Sequence, residues 1–403
     1  MVTVRAGMTP SRRGASLHSS PIRRLVPLAE GAKRRGLHVH HLNIGQPDLA
    51  PPASVLEALR QAHLQSVAYA PSRGLPETVT AWRTYYRFHG IELEEDEILI
   101  TSGGSESISL ALMTTCDLGD DVLVPEPFYA PYKELAAFVG LRLVPVPMDS
   151  DAAFAPPTVE AMRERLTSKT RAILCCNPNN PTGTAYSPEE LRALGEFAVE
   201  AGIFLIVDET YREIVFESPE PLSALSLDGL EDHVVVIDSV SKRFNVCGFR
   251  VGGLITRNRR VMDAAAGLAE LRLSAPVVAQ RAIVPALTSP EPYVSTVVEA
   301  YRERRDAVVG ALKNIPGVRC HQPGGAFYVV AQLPFPDSEH FAAWLLRDFS
   351  LEGETVMLTP MEDFYGTPGR GQDEVRIACV FDAATLTRAI EVVGAAVAVY
   401  PGS

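Results

Sequence analysis

Short apolar runs alternate with helix-like segments along the middle of the chain, from Glu97 to about Leu254. Turn residues bound these runs, an arrangement typical of βα units around a largely parallel sheet that is covered on both faces. One connecting segment begins at Ser187, which forms a capping box with Glu190 and places Pro188 at the first helical position. The sequence therefore predicts an α/β fold with strands at 98–100, 122–124, 141–146, 172–175, 203–207, 234–237 and 251–255.

The pattern changes after residue 290. An amphipathic stretch at 293–312 leads to a Gly-rich turn, a strand at 326–331, a helix at 338–349 and a last strand–helix pair from Val375. We therefore expect a smaller α/β domain at 291–403 beside a large domain at 49–290 that contains a mostly parallel, seven-stranded sheet. Residues 1–48 show no βα alternation, and we expect an arm that joins the small domain. The turn-rich stretch 362–372 is short enough to be an active-site loop.

Composition limits the classes of partner. The 403 residues are 46% apolar, and 37 Lys and Arg against 49 Asp and Glu give a formal net charge of −12. We therefore expect no nucleic-acid or membrane partner, so any phosphate must be bound by a local site. The six cysteines form no C-x-x-C pair and the histidines lack metal-ligand spacing, so no metal is expected. With no apolar leader or membrane-spanning stretch, the sequence favours a reducing cytoplasm.

The ends of the predicted strands are where a parallel sheet binds its ligands, so their residues are the first candidates for a site. The strand at 98–100 runs into Gly103, Gly104 and Ser105 and then a helix beginning near Glu106. A helix N-terminus after a glycine turn favours an anion, because its main-chain amides are free and its dipole is positive there. The spacing matches neither common nucleotide-binding motif.

Three further strand ends present polar or flat side chains. Tyr129 follows the second strand and offers a ring for stacking, while Asn180 lies in a rigid Asn- and Pro-rich loop, 177–183. Asp208 ends a run that should be wholly buried, and Tyr211 follows it. Burying a carboxylate without a partner is costly, so a cationic ligand group is expected beside Asp208.

The stretch after the strand at 234–237 contains the most informative residues. Ser239, Ser241 and Lys242 follow the strand, and Arg250 stands eight residues beyond the lysine in a Gly-flanked turn. An amine and an anion-binding arginine at one place are what an aldehyde cofactor carrying a phosphate requires.

The chain resembles a class I aminotransferase of the aspartate aminotransferase superfamily, whose members are fold-type I enzymes of pyridoxal 5′-phosphate (PLP). The resemblance covers nearly the whole chain and rests on motifs in the family's order and approximate spacing. These motifs are 42–48, 69–74, 103–105, 127–129, 177–183, 208–211, 239–242, Arg250 and 375–377. It implies a PLP-dependent aminotransferase that moves the amino group of an L-amino acid to a 2-oxo acid by ping-pong chemistry, as a homodimer.

The resemblance also implies roles for individual residues. Lys242 would hold PLP as a Schiff base and shuttle the proton, and Asp208 would pair with the pyridine nitrogen. Tyr211 would bond the phenolic oxygen together with Asn180, and Tyr129 would stack on the ring.

The resemblance also implies contacts to the α-carboxylate of the substrate and further contacts to the cofactor. Arg376 would bind the α-carboxylate of the substrate, helped by Asn180 and closed over by the backbone near Gly45. The remaining implied cofactor contacts are Gly104, Ser105, Glu106, Ser239 and Arg250, with Tyr69 from the other subunit.

Two alternatives stay open at the level of sequence. The same fold supports other PLP reactions, such as β-elimination or oxidation, and a non-catalytic regulator could keep the fold. The substrate side chain is also open. Glu362 and Asp363 precede Arg376 in a loop near the expected substrate entrance, and two acids there would favour a basic, arginine-like amino acid over aspartate.

Overall fold

The structure is a computed structural model that describes residues 9–11, 14–15, 21–62, 66–217 and 222–402. Much of the start of the predicted arm, at 1–8, 12–13 and 16–20, lies outside the described residues. Within the described part of the chain, no helix is both long enough and apolar enough to cross a membrane.

The central sheet has seven strands, and all but one are parallel. Its strand order is β2-β8-β7-β6-β5-β3-β4, and β8 runs antiparallel to both of its neighbours. The α/β fold with a mostly parallel seven-stranded sheet is therefore confirmed. The strands are β2 Ile98–Thr101, β3 Asp121–Glu126, β4 Arg142–Pro147, β5 Thr170–Cys176, β6 Phe204–Asp208, β7 Val234–Ser239 and β8 Gly252–Ile255.

Helices cover both faces of this sheet. Alternate side chains of one strand enter separate apolar clusters: Leu205 and Val207 of β6 lie in one, and Ile206 lies in the other. A strand buried on both faces reads as a continuous apolar run, which is why the sequence pattern located these strands. The helices up to β8 are α1 Val26–Arg34, α2 Ala53–Arg60, α3 Pro76–Phe88, α4 Gly104–Thr115, α5 Pro131–Phe138, α6 Val159–Glu164, α7 Pro188–Ala201 and α8 Val240–Arg243.

A second, four-stranded sheet of order β12-β13-β10-β9 lies in the C-terminal part of the chain, and its neighbouring strands are antiparallel. Its strands are β9 Arg319–Cys320, β10 Tyr328–Gln332, β12 Thr359–Pro360 and β13 Glu374–Ala378, with β11 Glu354–Met357 between β10 and β12 in sequence. The helices are α9 Arg259–Leu271, α10 Val277–Thr288, α11 Tyr293–Leu312, α12 Ser338–Asp348 and α13 Ala383–Val399. The predicted helix at 293–312 has the bounds of α11.

The segment before residue 49 contains more structure than its pattern predicted. Besides α1, it contains β1 His38–His41, which pairs in parallel with β11. The sequence pattern did not indicate this strand, because β1 is short, contains three histidines and lies in a two-stranded sheet, so it shows no continuous apolar run. This pairing ties the arm to the C-terminal part of the chain.

Candidate active site

The carboxyl ends of the parallel strands open into a cavity of about 310 Å³. All of the predicted site residues except Tyr69 and Glu106 line it, although they come from many separate parts of the sequence. The predicted residues that line the cavity are Gly45, Gly104, Ser105, Tyr129, Asn180, Asp208, Tyr211, Ser239, Lys242, Arg250 and Arg376.

Lys242 enters the cavity from α8, which begins directly after β7. Ser239 ends the strand and caps the helix, its hydroxyl accepting a hydrogen bond from the Ser241 amide. The lysine Nζ donates to the main-chain oxygen of Gly45 at 2.7 Å. Burial lowers the pKa of the Lys242 ammonium to about 8. The amine therefore exchanges its proton more readily near neutral pH than an ordinary lysine does.

Asp208 ends β6 and is 5% exposed. Its carboxylate accepts hydrogen bonds from the Tyr132 hydroxyl at 2.8 Å and from the Thr210 amide at 3.1 Å. Burial raises the pKa of Asp208, and these hydrogen bonds oppose the rise. Among the described residues, no lysine, arginine or histidine forms an ion pair with it. The site therefore presents a buried carboxylate to a cationic group that the protein does not itself supply.

The anion-binding end of the cavity depends on close packing of main chain and arginine. Gly103 has φ +86° and stands so close to Arg250 that an added Cβ would lie 2.3 Å from Nη2. Arg250 itself has the left-handed φ of 55°, and its Nη1 donates to the Cys247 main-chain oxygen at 3.0 Å. The start of α4 and the Arg250 guanidinium thus face one part of the cavity, which suits a phosphate.

Arg376 lies on β13 and is 1% exposed. Its Nη1 donates to Asn180 Oδ1 at 3.0 Å and its Nη2 to the Asn43 main-chain oxygen at 2.8 Å. Its Nε is buried and has no hydrogen-bond partner within the described part of the chain. The guanidinium lies over the Tyr328 ring, 4.3 Å from its centroid. A buried, oriented guanidinium with an unused donor is suited to a carboxylate.

Tyr328 is a site residue that sequence reasoning missed. Its hydroxyl lies 2.8 Å from the Tyr211 hydroxyl, and an added Cβ on Gly45 would lie 1.9 Å from it. Glycine at position 45 therefore lets the arm approach the tyrosine. The strand of Tyr328 was predicted, but nothing in an apolar run of Phe, Tyr and Val marks one ring as part of a site.

Two predicted cofactor residues do not line the cavity. The Glu106 carboxylate pairs with Arg272 at 2.8 Å and accepts the Ser102 amide, so its side chain fixes the turn before α4. Tyr69 is 78% exposed. Its role was assigned to a second subunit, and it stays a prediction.

The two acids of the loop, Glu362 and Asp363, do not lie where the prediction placed them. Asp363 pairs with Arg24 at 3.1 Å, and Glu362 accepts a hydrogen bond from Gln372 at 3.2 Å. Neither carboxylate lines the cavity. The structure therefore does not favour the hypothesis that these acids select a basic amino acid.

The cavity contains a lysine of lowered pKa, a buried carboxylate without a cationic partner among the described residues, and an anion-binding end. This combination is typical of enzymes that use a phosphorylated aldehyde cofactor. Residues 38–393 match the family model described as aminotransferase class I and II. The chain belongs to this family.

Similar proteins agree with the family. A probable aspartate/prephenate aminotransferase of Aquifex aeolicus is 31% identical over 89% of this chain and 91% of its own length. The structure of Thermus thermophilus aspartate aminotransferase with maleate is 30% identical, has a TM-score of 0.88 and covers 97% of this chain and 100% of that one. An alanine aminotransferase of Pyrococcus furiosus has a TM-score of 0.89 at 29% identity, covering 97% of this chain and 100% of that one.

The chain is therefore a PLP-dependent aminotransferase of fold type I, as its motifs implied. The residues present fit the cofactor. The carboxylate of Asp208 forms no ion pair with any residue that the structure describes, and the glycine at 103 leaves room for Arg250 at the anion-binding end. Lys242 lines the same cavity as Asp208 and Arg250.

Proposed function

We propose that this chain transfers an amino group from an L-amino acid to a 2-oxo acid, with Lys242, Asp208 and Arg376 in the roles that the motifs implied. One observation carries the proposal: the lysine, the buried carboxylate, the anion cradle and the buried arginine line a single cavity. PLP, when bound, supplies an electron sink for the negative charge that develops at the substrate Cα.

Lys242 supports the covalent anchoring of the cofactor and the movement of a proton at the substrate Cα. A general acid–base group works best when its pKa lies near the operating pH. Burial lowers the pKa of this ammonium to about 8, which places both protonation states within reach. Its bond to the Gly45 oxygen keeps the amine directed into the cavity.

Asp208 would hold the cofactor's ring nitrogen in its protonated form. An ionised carboxylate stabilises a neighbouring cation more strongly in a buried site than in water. Tyr132 and Thr210 fix the carboxylate by donating to it. Tyr211 and Asn180 would bond the phenolic oxygen, and Tyr129 would stack on the ring.

Arg376 would bind the α-carboxylate of the amino acid and of the oxo acid in turn. Asn180 and the Asn43 oxygen hold the guanidinium in one orientation, so a bound carboxylate would present the Cα at a fixed angle to the lysine. The same arginine serves both substrates, because both are 2-substituted carboxylates.

Several finer features are part of this proposal. The enzyme would be a homodimer in which Tyr69 reaches the phosphate of the neighbouring site, and it would work in the cytoplasm. An exposed aromatic ring next to the exposed Val67 supports a subunit contact there. Six free cysteines suit a reducing compartment. The arm, large domain and small domain would meet at residues 49 and 291.

A half-reaction experiment tests the proposal. The purified holoenzyme is mixed with single amino acids in the absence of an oxo acid, and the visible absorption of the bound cofactor is followed. An aminotransferase releases one oxo acid per active site and then stops until an oxo-acid acceptor is added. Continuous release of ammonia, or of hydrogen peroxide, would instead show a lyase or an oxidase.

A further inference from the structure

We propose that Tyr328 is a positioning residue whose hydroxyl donates to Tyr211 and so strengthens the hydrogen bond that Tyr211 would donate to the phenolic oxygen of PLP. This inference rests on the proposed function, because it takes the role of Tyr211 from there. It gives a second tyrosine, from the four-stranded sheet, control over the proton on the nitrogen that joins Lys242 to the cofactor.

The two tyrosines come from different sheets and meet inside the cavity. Tyr328 begins β10 and is 3% exposed, while Tyr211 follows β6 and is 4% exposed. Both line the cavity, and their hydroxyl oxygens are 2.8 Å apart. Within the described part of the chain, neither hydroxyl forms another hydrogen bond. The pair is therefore isolated except for the space that the cavity offers to a ligand.

A count of protons fixes the direction of this hydrogen bond once the site is filled. Each phenol hydroxyl has one proton to donate, and in the pair itself either oxygen can be the donor. If Tyr211 directs its proton to the phenolic oxygen of the cofactor, its own oxygen can only accept from Tyr328. The Tyr328 hydroxyl then serves as the donor.

The charge beside the pair favours the same direction. The Arg376 guanidinium lies over the Tyr328 ring, 4.3 Å from its centroid. Burial raises the pKa of Tyr328, and the guanidinium opposes that rise. Burial also raises the pKa of Tyr211, and the Tyr328 hydroxyl adds to the rise. A nearby cation makes a phenol a better donor, so Tyr328 suits the donor's place and Tyr211 the acceptor's.

The arm holds the Tyr328 hydroxyl in this position. Gly45 lies so close that an added Cβ would be 1.9 Å from the hydroxyl oxygen, and the Gly45 main-chain oxygen accepts from Lys242 Nζ at 2.7 Å. On the other side, the Phe327 ring packs edge-on against Tyr211, with ring centroids 5.2 Å apart. The hydroxyl pair is thus enclosed, and buried hydrogen bonds in a chain strengthen one another.

The expected effect has a definite sign. A hydrogen bond donated to the ionised phenolic oxygen stabilises its negative charge, so that oxygen holds the proton of the neighbouring nitrogen less strongly. The bond from Tyr211 therefore lowers the pKa of the nitrogen that joins Lys242 to the cofactor. Because Tyr328 strengthens that bond, removing its hydroxyl should raise this pKa.

A pH titration of the visible absorption of the holoenzyme, without substrate, tests the inference. It is made on the wild type, Tyr328→Phe, Tyr211→Phe and the variant with both substitutions, each saturated with PLP as checked by equilibrium dialysis. Tyr301→Phe is the matched control. Tyr301 is a buried tyrosine packed against Phe327, its hydroxyl donates to Asn245 at 3.2 Å, and it does not line the cavity.

Tyr328→Phe should raise the pKa of the Schiff-base nitrogen by about 0.5 to 1 unit, the effect of weakening one hydrogen bond to a charged group. Tyr211→Phe should raise it further. In the Tyr211→Phe background, loss of the Tyr328 hydroxyl should add no shift, because its effect passes through Tyr211. Tyr301→Phe should titrate as the wild type does.

Two results would overturn the inference: a Tyr328→Phe enzyme that titrates like the wild type, or a shift of full size in the Tyr211→Phe background. An unchanged pKa in Tyr211→Phe itself would also overturn it, because Tyr211 would then not bond the phenolic oxygen. These spectra are read without an amino acid, so they do not depend on transamination. Failure of the proposed function would appear separately, in the half-reaction.

Discussion

At the scale of single residues, the site contains charged groups whose bonding capacity the protein fills only in part. Of the residues that the structure describes, only Tyr132 and Thr210 donate to the buried Asp208 carboxylate, and none bonds Arg376 Nε. Buried groups in this state cost folding free energy, and such costs concentrate where function requires them.

Removing the amine of Lys242 is the most direct test of its role. Lys242→Ala should lower turnover by many orders of magnitude, because the residue is proposed both to anchor PLP and to move the proton. Steady-state rates and absorption spectra of the purified variant check this. Lys313→Ala removes a lysine that does not line the cavity and is the control. A Lys242→Ala enzyme with more than a few per cent of activity would contradict the assignment.

Changing Arg376 to lysine tests whether its planar fork binds the α-carboxylate. Arg376→Lys should raise the Michaelis constants of both the amino acid and the oxo acid by ~10 to 1,000-fold, since a bidentate charge-assisted pair is worth a few kcal/mol. PLP affinity, measured by equilibrium dialysis, should change little. If cofactor affinity fell as much as substrate affinity, the arginine would have a different role.

At the scale of elements, a buried charged cluster joins α3 to β7, to α8 and to the turn after β6. Asp238 accepts from Arg243 at 2.6 Å and from the Trp82 indole at 2.9 Å, and Arg243 lies 4.2 Å from the Tyr85 ring centroid. Arg243 follows Lys242 directly, so this cluster holds the α8 backbone that positions the lysine.

The cluster predicts an acid-dependent part of the stability. Burial alone would raise the pKa of Asp238, but the Arg243 and Arg212 guanidiniums lower it to about 2. A carboxyl whose folded pKa is depressed contributes stability above its unfolded pKa and loses it as the pH falls through the folded value. From pH 4 to pH 2, denaturant titrations should lose roughly 2 kcal/mol that the Asp238→Asn variant does not lose.

A second outcome of the same titrations concerns neutral pH. Asp238→Asn should be destabilised at pH 7 by about 3 to 5 kcal/mol, because Arg243 would remain buried without its partner. Asp263→Asn, at an exposed acid that pairs with Arg73, should change the free energy of unfolding by less than about 1 kcal/mol. Equal changes in the free energy of unfolding for the two substitutions would show that the buried cluster stabilises the fold no more than an exposed ion pair does.

The elements also show what a sequence pattern can predict. The strands of the central sheet were found because strands buried on both faces give unbroken apolar runs. The capping box at Ser187 is present as predicted, with the Glu190 amide donating to the Ser187 hydroxyl. The charged cluster around Asp238 was missed, because charged residues in sequence usually indicate a solvated surface.

The residues of the site also divide into those that the sequence predicted and those that it did not. Residues at strand ends could be predicted, since the carboxyl ends of parallel strands share one edge. Tyr328 could not be predicted, because it reaches the cavity only through the packing of β10. No local pattern encodes a contact between segments that lie far apart in sequence, such as that of Tyr211 with Tyr328, 117 residues away.

At the scale of the whole molecule, a proposed homodimer would share residues between its sites. Hybrid dimers of Lys242→Ala and Tyr69→Ala subunits test this. If Tyr69 serves the neighbouring site, one site of each hybrid combines an intact Lys242 with an intact Tyr69. Mixing the two impaired parents should therefore restore activity, with PLP affinity at the restored site as in the wild type.

The control for the hybrid is a double variant. A subunit with both Lys242→Ala and Tyr69→Ala, mixed with the wild type, should leave in each hybrid one site with an intact Lys242 but no intact Tyr69. Light scattering gives the subunit number before and after mixing. A fully active monomer, or no gain of activity on mixing the single variants, would refute the shared site.

Lys242 and Arg376 each donate to a main-chain oxygen of the same short segment, those of Gly45 and Asn43. A ligand that binds Lys242 Nζ or Arg376 Nη2 takes the place of a bond already made, whereas Arg376 Nε stands unused, so a measured affinity includes the free energy of an exchange. Such an exchange shortens the residence time of a bound acid, compared with its residence time on an arginine that has no competing hydrogen bond. In the proposed cycle an amino acid and an oxo acid bind the same site in turn, so each must dissociate quickly. When they do, the main-chain oxygens of Asn43 and Gly45 accept the hydrogen bonds again.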